Sequence, residues 1–288
     1  MRSLLLFFLL IFNGSLISGQ VFSFDDDLKL ANHLLNSNNN EEAIYHLKNT
    51  LVKFSTTEKN KDTLNFLLGY AYYQQRQLAE SNYYFLKVSD ESASYAQARF
   101  TSIYNNLYTQ DYAHASESLS QLQVRNNLHS EYKAMQNAGL ALLKKDFYTY
   151  KVSSKEFTYT YFQVEKEQKE LDKYYEDLIN FKPKSMAVAG LLSTVIPGTG
   201  KMYAGKLGEG MSAFLIVSIL GGITAENFIK NGINDYKTIA FGSLFSIFYI
   251  GNIYGSVVNV KVYRDEFYKT YERKILVNLH IPLRNIFY

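Results

Sequence analysis

The residues best placed for chemistry are Gly198-Thr-Gly-Lys201, because a glycine-rich turn ending in Gly-Lys can cradle a phosphate with backbone N–H groups and an ammonium. That chemistry also requires an earlier glycine, where Val195 stands, and a Mg-binding hydroxyl after the lysine, where Met202 stands. A preceding strand pattern is missing too, so nucleotide binding is not expected. The five histidines, His33, His46, His114, His129 and His280, lack the i, i+3 or i+4 pairing of metal ligands on a helix. Asp25-Asp-Asp27 lacks the glycine and the twelfth-position Glu of a calcium loop, and suits a helix N-terminus, where negative charge meets the macrodipole. No Gly-x-Ser-x-Gly elbow occurs. With no cysteine, disulfides, thiolate metal sites and thiol nucleophiles are excluded. The expectation is a non-enzyme with no catalytic residue, no cofactor and no metal.

A net charge of +3, from 30 basic and 27 acidic residues, is too small for a nucleic-acid footprint without a local patch, so no nucleic-acid partner is expected. The N-terminus carries Arg2, an apolar run from Leu4 to Phe12, and small residues before Gly19. The run is far shorter than the roughly 20 residues of a spanning helix, so residues 1–19 read as a signal peptide.

From Phe24 onward apolar residues recur at helical spacing, interrupted by short polar breaks such as Asn36-Ser-Asn-Asn-Asn40. A shared pattern of small and bulky positions repeats along residues 20–150. It reads Ala31, Leu34, Ala43 and Leu47; then Gly69, Tyr72, Ser81 and Phe85; then Ile103, Asn106, Ala115 and Leu119. A fourth copy starts at Gly139 and Leu142, with Lys151 at its second small position. The small positions let antiparallel helices approach, and the bulky ones fill the space between hairpins. The pattern resembles a tetratricopeptide repeat, near that repeat's usual period of about 34 residues. Such arrays bind peptides in a groove lined by the first helix of each hairpin, and the resemblance implies a partner-binding groove of Asn32, Phe66, Tyr70, Tyr73, Phe100 and Tyr104. Aromatic residues at helical spacing also suit a core.

Residues 151–182 contain no Gly or Pro before Pro183 and read as one long connecting helix. Phe157, Tyr161, Val164, Gln168, Leu171, Tyr175 and Leu178 form a heptad seam, in which Gln168 could fix the register of a coiled coil. Packing of that seam on the last repeat is the other reading.

Residues 183–260 change character. Ser185 to Gly200, Gly210 to Ala225 and Thr238 to Val260 carry no charge, and only the last is clearly long enough to span a bilayer. Asn252 and Asn259 are its strongly polar members. Gly251 and Gly255 form a small-xxx-small pair suited to helix packing, with Gly221 and Gly222 as the expected partners. Pro197, Gly198, Gly200, Tyr203 and Gly205 make a membrane-turn motif, in which the proline and glycines end one helix and Tyr203 anchors among lipid headgroups. This stretch resembles the Pro-Gly-x-Gly-x-x-Tyr-x-Gly signature of small bacterial membrane-hairpin domains, whose biochemical activity is undefined. Residues 261–288 read as a basic C-terminal tail.

The fold expected is all-α: a tetratricopeptide-like helical-hairpin solenoid, a long helix, and a bundle of two or three membrane segments. Three crossings reconcile exported repeats with a positive tail inside; the competing solution keeps the repeats in the cytoplasm with two crossings and treats the N-terminus as something other than a signal. The function expected is a non-catalytic, membrane-anchored envelope scaffold or adaptor. Its repeats would bind a protein or peptide partner on the periplasmic side of a bacterial inner membrane. Membrane lipid is the second partner, and a homo-oligomer is compatible with the sequence. The alternative is a small transport or protein-insertion component with the repeats as a regulatory cap.

Overall fold

In the computed structural model, residues 23–54 and 57–287 are described, and the expected signal peptide lies outside them. Among the described residues every regular element is a helix and none is a strand. The first eight helices follow one another as helix-turn-helix pairs: α1 (Phe24–Asn36) with α2 (Asn40–Phe54), α3 (Glu58–Gln74) with α4 (Leu78–Phe85), α5 (Tyr95–Tyr108) with α6 (Tyr112–Gln121), and α7 (Asn127–Leu143) with α8 (Phe147–Ser153). The turn within each pair is built the same way. Asn38, Arg76, Gln110 and Lys145 all take left-handed backbone angles, with φ of 58°, 60°, 62° and 59°. Around each, the helix end is closed by the same double bond pattern: Asn39 N to Leu34 O, Gln77 N to Tyr72 O, Asp111 N to Asn106 O and Asp146 N to Ala141 O, at 2.8–3.0 Å. This is a Schellman cap, which satisfies carbonyls that a helix C-terminus otherwise leaves without partners. None of the four left-handed residues is glycine, so each turn holds strain that the hairpin packing must offset.

The chain divides into two compact units, residues 1–105 and 106–288. In the first, Ala31, Ala43, Leu47, Leu64, Leu68 and Ala71 form one buried cluster. The small positions do what close helix approach requires. A methyl added at Gly69 would lie 2.5 Å from Phe85 Cδ1, so the ring of α4 occupies the notch that glycine leaves in α3. Ser81 is fully buried, and its hydroxyl accepts a 3.1 Å hydrogen bond from Asn105 Nδ2.

In the second unit the stretch after α8 departs from the expected long helix. A 3-10 turn (Ser154–Glu156) is followed by irregular chain, and α9 (Glu165–Ile179) starts only at Glu165. The cause is local: the Phe157-Thr-Tyr-Thr-Tyr-Phe162 run is aromatic and β-branched, a poor helix former. Tyr159 takes φ 56° within it. Gln168 holds this loop instead of setting a coiled-coil register. Its Oε1 accepts from Tyr159 N at 3.2 Å, and its Nε2 donates to the buried Glu131 of α7 at 2.8 Å. Thr158 Oγ1 donates to the other oxygen of Glu131. Asp172 of α9 accepts from both Tyr150 and Tyr159 hydroxyls at 2.8 Å. Burial, then the Asp172 hydrogen bond, pushes the Tyr159 phenol up to about 12 and raises Tyr150 further, so both remain neutral donors at physiological pH. The seam residues Phe157, Val164, Leu171, Tyr175 and Leu178 are nevertheless buried, and α9 packs on α13, α7 and α8.

Four further helices follow: α10 (Met186–Val195), α11 (Thr199–Tyr203), α12 (Leu207–Asn231) and α13 (Tyr236–Phe287). By length and composition α12, with 25 residues, and α13, with 52, could span a membrane. The ten residues of α10 cover only about 15 Å, half of a bilayer core of about 30 Å. Among the described residues no third helix is long enough to span alone, because Pro197 and Gly198 break the uncharged run that suggested one.

The basic tail is not a separate segment either. Nothing between Val260 and Pro282 breaks a helix, so α13 continues out of its apolar half. It passes through an aromatic layer in which Phe267 stacks on Phe181 at 3.6 Å between ring centres, and Tyr271 donates to Asp177 at 2.8 Å. Its final turns are buried against α7 and α9. Leu279 fills the notch at Gly139, where a methyl would lie 2.5 Å from Leu279 Cδ1, and Tyr132 donates to Leu279 O at 2.7 Å. Asn278 Nδ2 donates to Glu167 O at 2.6 Å. Because α7, α9 and the end of α13 share one packed core, any crossings of a bilayer between them would have to be even in number.

Two outcomes are expected. Arg76→Gly raises stability by about 0.5–1 kcal/mol, as relief of left-handed strain outweighs the added entropy of the unfolded chain, whereas Arg76→Val lowers it. Thermal unfolding of the full chain in detergent measures both. Single cysteines at the exposed positions Glu156 and Arg284 label from the same side of a sealed membrane, and one at Asn234 labels from the other.

Candidate functional site in the membrane turn

The turn between α10 and α12 is densely hydrogen-bonded. Ile196 precedes a proline and is driven to extended angles, φ −131° and ψ 113°, which ends α10. Gly198 then takes φ 88°, and a methyl there would stand 2.0 Å from Gly210 O. Gly200 is equally confined: a methyl would meet Ala189 O at 2.0 Å and Ser193 Oγ at 2.5 Å. Gly210 closes the contact from the α12 side, 2.7 Å from Gly198 O by the same measure. Gly205, at φ 91°, ends α11, and Pro197 is half-buried.

A buried chain reversal leaves backbone groups that water cannot reach, each costly if left without a partner. Here side chains supply the partners. Gly198 N donates to Asn252 Oδ1 at 3.0 Å, and Gly200 N donates to Ser193 Oγ at 3.0 Å, both buried. Asn252 Nδ2 reaches Ser193 O at 3.4 Å, and Tyr249 donates to Thr194 O at 2.6 Å. Thr199 Oγ1 lies 2.7 Å from both Leu192 O and Ile196 O. Ser193 and Ser256 share a 2.6 Å hydroxyl contact, and Ser256 donates to Asn252 O at 2.8 Å. The N–H groups of Gly198 and Gly200, which a phosphate cradle would need, are thus already engaged.

Tyr203 is half-buried, packed on Ala189, Ala204 and Val260. Its hydroxyl accepts from Ser185 N at 3.1 Å, which fixes the entry to α10. The small-xxx-small pair also has a different surrounding from the one expected. A methyl at Gly251 would touch nothing within 4 Å, and one at Gly255 would meet the Lys201 side chain at 3.3 Å. Contact between α12 and α13 is instead made where Gly221 receives the Phe245 ring, 3.1 Å from an added methyl, while Gly222 faces open space. A large ring in a single notch replaces glycine-on-glycine packing.

The network members Ser193, Asn252 and Ser256 were not legible as a site from sequence. The available signal was a polar pair at i, i+4 in an otherwise apolar run, which in a membrane helix marks a face turned toward protein.

The groove expected in the first unit is divided by burial. Asn32 is exposed, and Phe66, Tyr70 and Tyr73 are half-buried around the Phe85, Val88 and Ala98 cluster. Phe100 is fully buried and Tyr104 nearly so, which removes both from any partner surface. They serve the core because the neighbouring turns of α5, from Thr101 to Leu107, are buried on every side.

Asn252→Leu leaves the Gly198 N–H without a partner and lowers stability by about 1–3 kcal/mol, and Gly198→Ala costs more than about 2 kcal/mol through strain and overlap with Gly210. Gly251→Ala, in open space, leaves the thermal midpoint in detergent unchanged.

Comparison with known proteins adds little. No family model matches the chain, and no solved structure does. It is similar to the uncharacterized protein MJ1516 of Methanocaldococcus jannaschii, with 41% identity over 58 residues, 18% of this chain. That match spans 54% of the relative, about half of its length.

Proposed function

We propose that the chain is a membrane-anchored, non-catalytic scaffold or adaptor whose tetratricopeptide-like hairpins bind a protein or peptide partner. The observation that carries this reading is the joining of the hairpins to the anchor. The end of α13 is buried in the α7 hairpin, so one helix belongs both to the membrane region and to the core of the second unit. The hairpin of the second unit is thereby tethered directly to the proposed anchor.

The surviving groove residues, Asn32, Phe66, Tyr70 and Tyr73, are the proposed contact surface in the first unit. Photoreactive residues at Asn32 and Tyr73 in native membranes crosslink to a specific protein under this reading. Recovery of lipid adducts alone would count against it.

Export by residues 1–19 supports an array on the periplasmic side of an inner membrane. The flanking charges support the opposite orientation. Lys182, Lys184, Lys261, Arg264 and Lys269 lie on the hairpin side of α12 and α13, against Lys230 and Lys237 at the loop between them. A membrane-impermeant thiol reagent applied to intact cells distinguishes the two: labelling of a cysteine at Glu156 corresponds to export, and labelling only at Asn234 to a cytoplasmic array.

A further inference from the structure

Beside the membrane turn lies a cavity of about 680 Å3 between α11, α12 and α13. Its walls change character along their length. Lys201 and Glu209 stand at one end, and Val217, Ile247 and Phe248 line the other. From Glu209 to Val217 the distance along α12 is about 12 Å, so charge and hydrocarbon are separated as they are in an amphiphile. The middle is open because Gly251 leaves space in which an added methyl would touch nothing within 4 Å.

The two charges do not neutralise each other. Lys201 makes no ion pair among the described residues, whereas the neighbouring Lys206 bonds Glu266 at 3.5 Å. Glu209 takes only a neutral amide, Asn259 Nδ2 at 2.9 Å. A cation and an anion at one rim, each without a counter-ion, complement a ligand head that carries one charge of each sign. An apolar cleft below them, with Ile247 and Phe248 exposed, complements an acyl chain.

We propose that this groove binds one bilayer glycerophospholipid with a phosphoethanolamine headgroup. The phosphate sits on Lys201, the ammonium on Glu209, and an acyl chain runs past Gly251 along Val217, Ile247 and Phe248. Charge complementarity selects this occupant over a purely anionic lipid, which Glu209 would repel, and over a peptide, which would leave backbone groups unpaired against the apolar wall. The proposal rests on the reading of α12 and α13 as membrane-embedded.

Native mass spectrometry of the full-length chain, delipidated in detergent and then offered phosphatidylethanolamine or phosphatidylglycerol with identical acyl chains, tests it. The expected result is one phosphatidylethanolamine retained per chain, with about tenfold preference. Lys201→Ala and Glu209→Gln each weaken retention about tenfold, and Gly251→Leu, which fills open space, abolishes it without moving the thermal midpoint. Equal retention of the two lipids overturns the headgroup assignment. Retention by Gly251→Leu reduces the adduct to belt lipid and overturns the site, as does a dimer that Gly251→Leu dissociates, which would make the groove a contact between copies. Release of the protein from membranes by alkaline carbonate would instead overturn the membrane reading itself.

Discussion

The apolar half of this protein depends on one requirement: the backbone groups freed at a buried chain reversal must find their hydrogen-bond partners inside the protein. Asn252 meets that requirement from the middle of α13, accepting from Gly198 N and donating to Ser193 O. The bonds fix the depth of the turn against α13. The glycines then become obligatory, since Gly198, Gly200 and Gly210 sit where any side chain would collide with backbone oxygen. The Pro-Gly-Thr-Gly sequence is therefore a packing solution, and its likeness to a phosphate cradle follows from a shared need for close backbone approach rather than from shared chemistry.

The second unit extends that logic along α13. A 52-residue helix changes surroundings along its length without changing conformation, from exposed apolar side chains to an aromatic layer and then to a buried seam. Gly139 shows how the helical hairpin accommodates it. In the second hairpin the equivalent small residue, Gly69, receives a ring from its own hairpin, whereas in the fourth it receives Leu279 from α13. A terminal repeat of a solenoid exposes the face its missing neighbour would cover. Here α9 and the end of α13 cover the last hairpin.

The helical content, the hairpin periodicity and the apolar runs were legible in the sequence because each depends on spacing alone. The small and bulky positions located the packed faces, and the residues from Ala31 to Leu142 that carried the pattern are largely buried. What spacing cannot convey is the chemical partner of a residue. Gln168 looked like a register-setting polar residue, and it is the anchor of a loop; the heptad continued through Phe157 and Tyr161, but weak helix propensity and the bonds to Glu131 broke the helix there. The turn residues Arg76, Gln110 and Lys145 gave no signal, since a left-handed cap usually announces itself by glycine.

Glycine was the least transparent residue type for the same reason. Gly198 and Gly251 look alike in the sequence, each one member of a glycine pair in an apolar stretch, yet a methyl at one would collide with the backbone of Gly210 and a methyl at the other would border empty space. A glycine that is packed records a neighbour too close for a methyl. A glycine that is open, between a paired helix face and a rim carrying unneutralised Lys201 and Glu209, instead preserves volume. In a membrane that volume does not stay empty, because acyl chains fill any cleft they can enter. The same residue type therefore closes the turn at Gly198 and leaves space for lipid at Gly251, and only the surrounding contacts distinguish the two.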